Sequence, residues 1–188
     1  TLQADGGIIQ VNGSIKANST DAQHVGGDII IGRDTDKGVL AKATDVSGAK
    51  LESQGGFVET SGEFLNANGL QIKAGEWLLD PNDIVIGNSA TTGGSLTSAQ
   101  GTNGVSQILA TDVSAALTSG TNVTISTSAT ASGGNGDITV NSAISNTAAG
   151  KTLTLNAGRH IALNSNITVS NLALNAATGS VSGTGNLT

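Results

Sequence analysis

Five carboxylates in the first third of the chain are the residues best suited to acid–base chemistry: Asp28, Asp34, Asp36, Glu59 and Glu63. A pair of carboxylates can cleave a glycosidic bond when one is held protonated and the other ionised. That division needs positioned groups with tuned pKa values, and no spacing among the five suggests it. We therefore predict solvated charges on loops and no catalytic residues. A carbohydrate-active enzyme is kept as an alternative from a different functional class.

Two short segments carry the oxygen ligands that calcium prefers. The segment "GGNGD" at 133–137 matches half of a calcium-binding nonapeptide repeat. It occurs once, whereas such sites need several stacked turns. The segment "DTDKG" at 34–38 is too short for an EF-hand loop of about 12 residues. Both are predicted to be plain turns, and because the chain also lacks cysteine, no metal or cofactor is expected.

Composition limits the classes of partner. The 188 residues carry a net charge of −6 without a basic cluster, which argues against nucleic-acid binding. No apolar run approaches the roughly 20 residues of a membrane span, so membrane insertion is not expected. Aromatics make up 2% of the chain, and the apolar residues are Ile, Val, Leu and Ala. Of these, Ile, Val and Leu suit the pleated surface of a strand.

An internal repeat predicts the fold. "DITVNSAISNTAAGKTLTLNA" (137–157) aligns with "HIALNSNITVSNLALNA" (160–176) when four residues are deleted from the second copy. Neighbouring apolar positions are two apart, the strand period, and such units bury their apolar face by stacking on one another. We predict an all-β parallel β-helix, a solenoid. The aligned apolar pairs are Ile138 with Ile161, Val140 with Leu163, Ile144 with Ile167, Leu153 with Leu172, and Leu155 with Leu174.

Asparagines also align in the repeat. Asn141 matches Asn164, and Asn156 matches Asn175. Stacked amides form hydrogen-bonded ladders along the axis of stacked strands. We predict two such ladders with the amides facing inward.

The distribution of charge divides the chain into two sections, 1–83 and 84–188, because 18 of the 22 charged residues lie in the first. Two departures from the strand pattern are expected. Residues 34–46 read as a charged loop leaving the coil. A short helix is predicted near 109–119, capped by Thr111 or Asp112 and ended by Gly120. Its buried face is predicted to carry Leu109, Val113 and Leu117.

All three aromatic residues and the only proline lie in one window, 55–87. We predict a structural junction at which these rings close the core between the two sections. Proline cannot donate to a β-ladder, so it is expected to mark a strand break. The residues assigned to this junction are Phe57, Phe64, Trp77, Leu78, Leu79, Asp80 and Pro81.

The same window resembles a motif of a known family. "GGFVETSG" at 55–62, followed by "WLLDP" at 77–81, is similar to a junction motif of bacterial two-partner secretion exoproteins, the filamentous-haemagglutinin-like and high-molecular-weight adhesins. "GGDIIIG" upstream and "GDITVNSAI" downstream also resemble that family. The resemblance implies a right-handed parallel β-helix shaft, secreted to the cell surface of a Gram-negative bacterium, whose work is adhesion or haemagglutination and which contributes to virulence.

The resemblance also implies partners. The amino-terminal secretion domain of the family carries Asn-Pro motifs, whereas the one proline here follows Asp80. We therefore expect an internal segment, whose outer-membrane transporter recognises a domain outside this chain. Receptors or glycans on host cells or bacteria are the expected binding partners. The alternative within the family is the shaft of a contact-dependent toxin exoprotein.

Overall fold

The computed structural model describes residues 1–21, 23–89, 105–129, 133–147 and 149–188. Strands dominate these ranges, with a helix, α1, at Ala110–Thr118. The strands are β1 (Ile8–Gln10), β2 (Ser14–Lys16), β3 (Asp28–Ile31), β4 (Ala43–Asp45), β5 (Lys50–Ser61), β6 (Phe64–Asn66), β7 (Gln71–Asp80), β8 (Ile84–Gly87), β9 (Ser106–Leu109), β10 (Asn122–Ser126), β11 (Ile138–Val140), β12 (Ile144–Ser145), β13 (Thr152–Ala157), β14 (Ile161–Leu163), β15 (Ile167–Thr168), β16 (Asn171–Ala176) and β17 (Val181–Gly183).

These strands form parallel sheets. Sheet 1 has the order β1-β4-β6-β9-β8-β11-β14-β17. Sheet 2 has the order β2-β5-β7-β10-β13-β16, and β3 also pairs with β5. Sheet 3 is the pair β12-β15. The all-β prediction is therefore confirmed for the described part of the chain.

Successive strands of the chain alternate between sheets. From β4 to β8 the chain passes from sheet 1 to sheet 2 and back at every step. After β10 it visits sheets 1, 3 and 2 in turn, once with β11, β12 and β13 and again with β14, β15 and β16. Most strands consequently pair with the preceding strand of the same sheet. A chain that returns in this way pairs its strands in parallel without hairpins.

The order of sheet 1 contains one exchange. β9 follows β8 in the chain but lies between β6 and β8 in the sheet. Gln107 of β9 is aligned with Asn66 on one side and with Val85 on the other. The chain thus passes one strand position, forms β8, and returns to fill the position it left. No sequence signal predicted this exchange.

The register of the internal repeat is confirmed. Ile138 pairs with Ile161 and Val140 with Leu163 between β11 and β14. The other predicted apolar pairs, between β12 and β15 and between β13 and β16, are also aligned. Because side chains alternate across a strand, the aligned residues of each sheet point to the same face of that sheet. They belong to, or pack against, one core cluster that contains residues of all three sheets.

The predicted helix is present as α1, although its cap differs from the prediction. Leu109 occupies the N-cap position and no side chain caps the helix. Asp112 instead accepts a hydrogen bond from the Gly69 amide at 2.6 Å, which joins the helix to the turn before β7. Val113 and Leu117 are buried as predicted, but Leu109 is replaced in the buried face by Ala110 and Ala116. Gly120 follows the helix with φ of 92°.

The charged loop predicted at 34–46 is shorter than expected. Its last part is strand β4, in which Ala43 and Thr44 are fully buried. The excursion is confined to the turn between Arg33 and Leu40, which form an antiparallel bridge. Charged residues alone did not distinguish this turn from the short strand that follows it.

Candidate functional site

Trp77 lies in the interior of sheet 2. It belongs to β7, aligned with Val58 of β5 and Val123 of β10. The residue is 1% exposed, and its indole Nε1 donates a hydrogen bond to Thr60 Oγ1 at 3.0 Å. A buried indole N–H needs such a partner. Because β10 continues the sheet beyond β7, Trp77 lies within the core, between strands that belong to the two predicted sections.

The two phenylalanines do not join Trp77. In β5, Val58 and Thr60 are inward, so alternation turns Phe57 to the outer face, where it is half-buried. In β6 the inward residue is Leu65, and Phe64, although 5% exposed, lies outside the main core cluster. The prediction that three rings together close the core is therefore wrong for Phe57 and Phe64.

The rest of the junction follows the alternation of β7. Leu79 is fully buried and Leu78 is half-buried on the opposite face. β7 ends at Asp80, so the chain breaks the strand at Pro81 as predicted. Pro81 is itself buried.

A cluster of charged groups lies on the outer face where β5 and β7 end. Glu59 is 4% exposed; its Oε1 accepts a hydrogen bond from Ser61 Oγ at 2.7 Å and lies 3.5 Å from Arg33 Nη1. Ser61 is aligned with Asp80 on the next strand. The prediction of solvated charges on loops is wrong for Glu59, because a strand position and two polar partners allow its burial.

Asp80 is the member of this cluster with a shifted acidity. The pKa of the Asp80 carboxyl is raised to about 6, mainly because the group is buried; Arg33 lowers the pKa in part, and the nearby Glu59 adds a smaller increase. Arg33, Glu63 and Asp80 line a pocket of about 320 Å³. Glu63 forms an ion pair with Lys42 at 2.6 Å. The arrangement holds one carboxyl that changes protonation near neutral pH.

The prediction of a solvated charge is also wrong for Asp34, which is buried at 2% exposure and has a structural role. Its Oδ1 accepts hydrogen bonds from the amides of Asp36 and Lys37, at 2.9 and 3.1 Å. The Lys37 amide contributes most to lowering the pKa of the Asp34 carboxyl. The carboxylate stabilises the turn in the manner of an Asx-turn. Asp28 and Asp36 are exposed as predicted.

The segment "GGNGD" is a turn built around another carboxylate. Asp83 Oδ1 accepts hydrogen bonds from the amides of Asn135 and Asp137, at 3.0 and 2.7 Å. Asp137 in turn receives Arg159, whose Nε lies 2.9 Å from Asp137 Oδ1, and this contact lowers the pKa of Asp137. Across the described ranges, no three His, Cys, Asp or Glu side chains are grouped so as to hold a metal ion.

The asparagine pairs are brought together, but on the surface. Asn164 Nδ2 donates to Asn141 Oδ1 at 2.9 Å, and both residues are exposed. Asn156 and Asn175 are aligned between β13 and β16. The predicted inward direction is wrong because the apolar residues that precede these asparagines occupy the inward positions: Val140, Leu155, Leu163 and Leu174. Exposure reduces what such a bond contributes to stability.

The sequence reasoning missed a groove on the outer face of sheet 2. It has a volume of about 420 Å³ and is lined by Asp28, Phe57, Glu76, Asn122 and Lys151. Its floor contains Gly26, Gly56 and Gly75, near the place where the register between β5 and β7 shifts. The available signal was the stretch "GGFVE", in which an aromatic residue follows a glycine pair; all five residues lie within β5.

Comparisons with protein-family models, curated proteins and solved structures gave no match to this chain. In the part of the chain that the structure describes, no helix has both the length and the apolar character needed to cross a membrane.

Proposed function

We propose that the chain winds as a right-handed parallel β-helix. Support comes from the alternation of successive strands between sheets and from the parallel pairing of each strand with those beside it. Crossovers between parallel strands of one sheet are right-handed in nearly all proteins. The single core cluster, which contains residues of all three sheets, also supports this winding.

The function that this architecture supports best is that of a rigid, non-enzymatic shaft segment of a secreted adhesin on a Gram-negative bacterium. The observation that carries the proposal is the unbroken order of eight strands in sheet 1, from β1 to β17. Such a stack holds its outer residues at fixed spacing and presents them to a partner. The resemblance of "GGFVETSG" and "WLLDP" to two-partner secretion exoproteins supports a location at the bacterial cell surface. Export would use the outer-membrane transporter of that system, through a secretion domain outside this chain.

The burial of the carboxylates favours this role over a carbohydrate-active enzyme. Asp34 is engaged by two backbone amides, and Glu59 is buried with Ser61 and Arg33 as partners. A general acid or base must reach the substrate atom whose proton it transfers. We expect no release of reducing ends from host or bacterial glycans. Release that disappears in Glu59→Gln would support the enzyme instead.

Adhesion is tested with beads that carry the purified chain at controlled density. We expect these beads to bind epithelial cells or bacteria under flow in which beads carrying an unrelated protein of similar charge are washed away. Soluble chain should compete with the beads for binding. Equal retention of both kinds of bead across a panel of cells would contradict the adhesin proposal.

A further inference from the structure

We infer that the groove beside Phe57 is a binding site for a neutral glycan chain. The inference rests on the proposed adhesin function and names the class of ligand. Its basis is a row of outward residues on four adjacent strands: Asp28, Phe57, Glu76 and Asn122 are aligned on β3, β5, β7 and β10. Neighbouring strands lie about 4.8 Å apart, a spacing close to that between successive residues of a linear hexopyranose chain.

The residues of the row have the chemistry that a sugar needs. Phe57 is the one aromatic ring of the three that is not buried, and it stands between the two carboxylates. An aromatic ring packs on the apolar C–H face of a pyranose, while a few placed polar groups fix its orientation. The carboxylates of Asp28 and Glu76 accept hydrogen bonds from sugar hydroxyls, and bonds to a charged acceptor are the stronger kind.

These polar groups are free to bind a ligand. Asp28 and Glu76 are exposed, and neither has an ion pair or a side-chain hydrogen bond within the described ranges. Asn122 is held in place because its Oδ1 accepts a hydrogen bond from the Thr152 amide at 3.1 Å. This contact leaves the amide NH₂ of Asn122 to donate to a sugar oxygen.

The floor of the groove is fixed by glycines. A Cβ on Gly56 would lie 2.4 Å from the Gly26 carbonyl oxygen, and one on Gly75 would lie 2.5 Å from the Gly55 carbonyl oxygen. The backbone of β5 therefore lies close to that of Gly26 on one side and to that of β7 on the other, and the glycines place no side chains there. A rigid groove loses little conformational entropy when it binds.

Charge selects among glycans. The groove has two carboxylates and one cation, Lys151, and the whole chain has a net charge of −6. A sulfated or uronic-acid chain would be repelled. A chain of neutral hexoses or N-acetylhexosamines meets no such penalty, and its binding should depend little on salt.

The experiment is a glycan array with neutral, sialylated and sulfated members, followed by titration of the best neutral glycan. We expect Phe57→Ala to weaken binding about tenfold or more, as at a central contact residue, and Glu76→Gln to weaken it several-fold. Lys73→Gln, an exposed change on the same strand outside the groove, should bind as the wild type. Phe57→Leu replaces Phe57→Ala if circular dichroism shows that the alanine variant is misfolded.

The bead assay separates this inference from the adhesin proposal. Adhesion to cells that persists in Phe57→Ala, with no neutral glycan bound on the array, would overturn the glycan site and leave the adhesin function standing. Binding confined to sulfated glycans and abolished by salt would also overturn it. Glycan binding without cell adhesion would support the site and contradict the adhesin proposal.

Discussion

The hydrogen bond between Trp77 and Thr60 offers a quantitative test of the core. Trp77 is 1% exposed and Thr60 fully buried, so neither polar group can turn to water when its partner is removed. Trp77→Ala should cost about 3–5 kcal/mol of unfolding free energy, as large-to-small core changes do. Thr60→Val keeps the side-chain shape but leaves the indole N–H unpaired, which should cost about 1–3 kcal/mol.

The bond itself is isolated by a double-mutant cycle. Trp77→Phe removes the donor, Thr60→Val removes the acceptor, and the double variant removes both. Since the two side chains are in contact, we expect a coupling energy of about 0.5–3 kcal/mol. Urea unfolding followed by circular dichroism measures all four proteins, including those without tryptophan. Thr124→Val, a half-buried outward position on β10, is the control and should change stability by less than about 0.5 kcal/mol.

Additive costs in this cycle would contradict the reasoning, because they would mean that the two groups do not interact. A Thr60→Val variant as stable as the wild type would do the same. Strong quenching of Trp77 fluorescence by iodide would show that the ring is exposed and that the placement of β7 is wrong.

Three further predictions follow from other contacts. The pKa of Asp80 is raised to about 6, so the folded state binds this proton more tightly than the unfolded state. The resulting contribution to the free energy of unfolding is present at pH 4 and is lost as the pH rises through 6. It amounts to at most about 3 kcal/mol. Asp80→Asn should therefore match the wild type at pH 4 and exceed it at pH 8 in urea midpoint, and parallel pH profiles would refute this. Gly56→Ala should cost about 1–3 kcal/mol through overpacking, whereas Gly27→Ala, where a Cβ meets nothing within 4 Å, should be nearly neutral; equal midpoints would contradict the close approach. Asn164→Ala should cost no more than about 1 kcal/mol because its bond to Asn141 is exposed, and a larger loss would indicate a buried ladder.

The strand register of the second half could be predicted from sequence because it depends on a repeat. Stacked units place equivalent residues side by side, so aligning the two copies also aligned Leu153 with Leu172. The helix could be predicted for a similar reason, since its apolar period is local. Both signals are local, because the two copies of the repeat occupy residues 137–176 and the helix pattern occupies residues 109–120.

The features that were missed depend on distant parts of the chain. The face occupied by Phe57 depends on an irregularity in β5 between Ser53 and Phe57, where the register with β7 shifts. Ser53 is buried before it and Val58 after it, so the inward positions of β5 change from odd to even numbers. The burial of Glu59 requires Arg33, which is 26 residues away. Two further features depend in the same way on which strands and turns are neighbours in the folded chain. They are the exchange of β8 and β9 and the hydrogen bond from the Gly69 amide to Asp112.

The central claim, a continuous and rigid stack, is tested most directly by one distance. An aligned row crosses all eight strands of sheet 1, from exposed Gln10 on β1 to exposed Ser182 on β17. Seven steps of about 4.8 Å separate the ends of the row by roughly 34 Å. Because the chain has no cysteine, Gln10→Cys and Ser182→Cys can carry a pair of spin labels without other changes. Pulsed electron–electron double resonance should give one narrow distance distribution near that value, allowing for the label linkers, whereas a broad distribution or one centred far below it would contradict the stack.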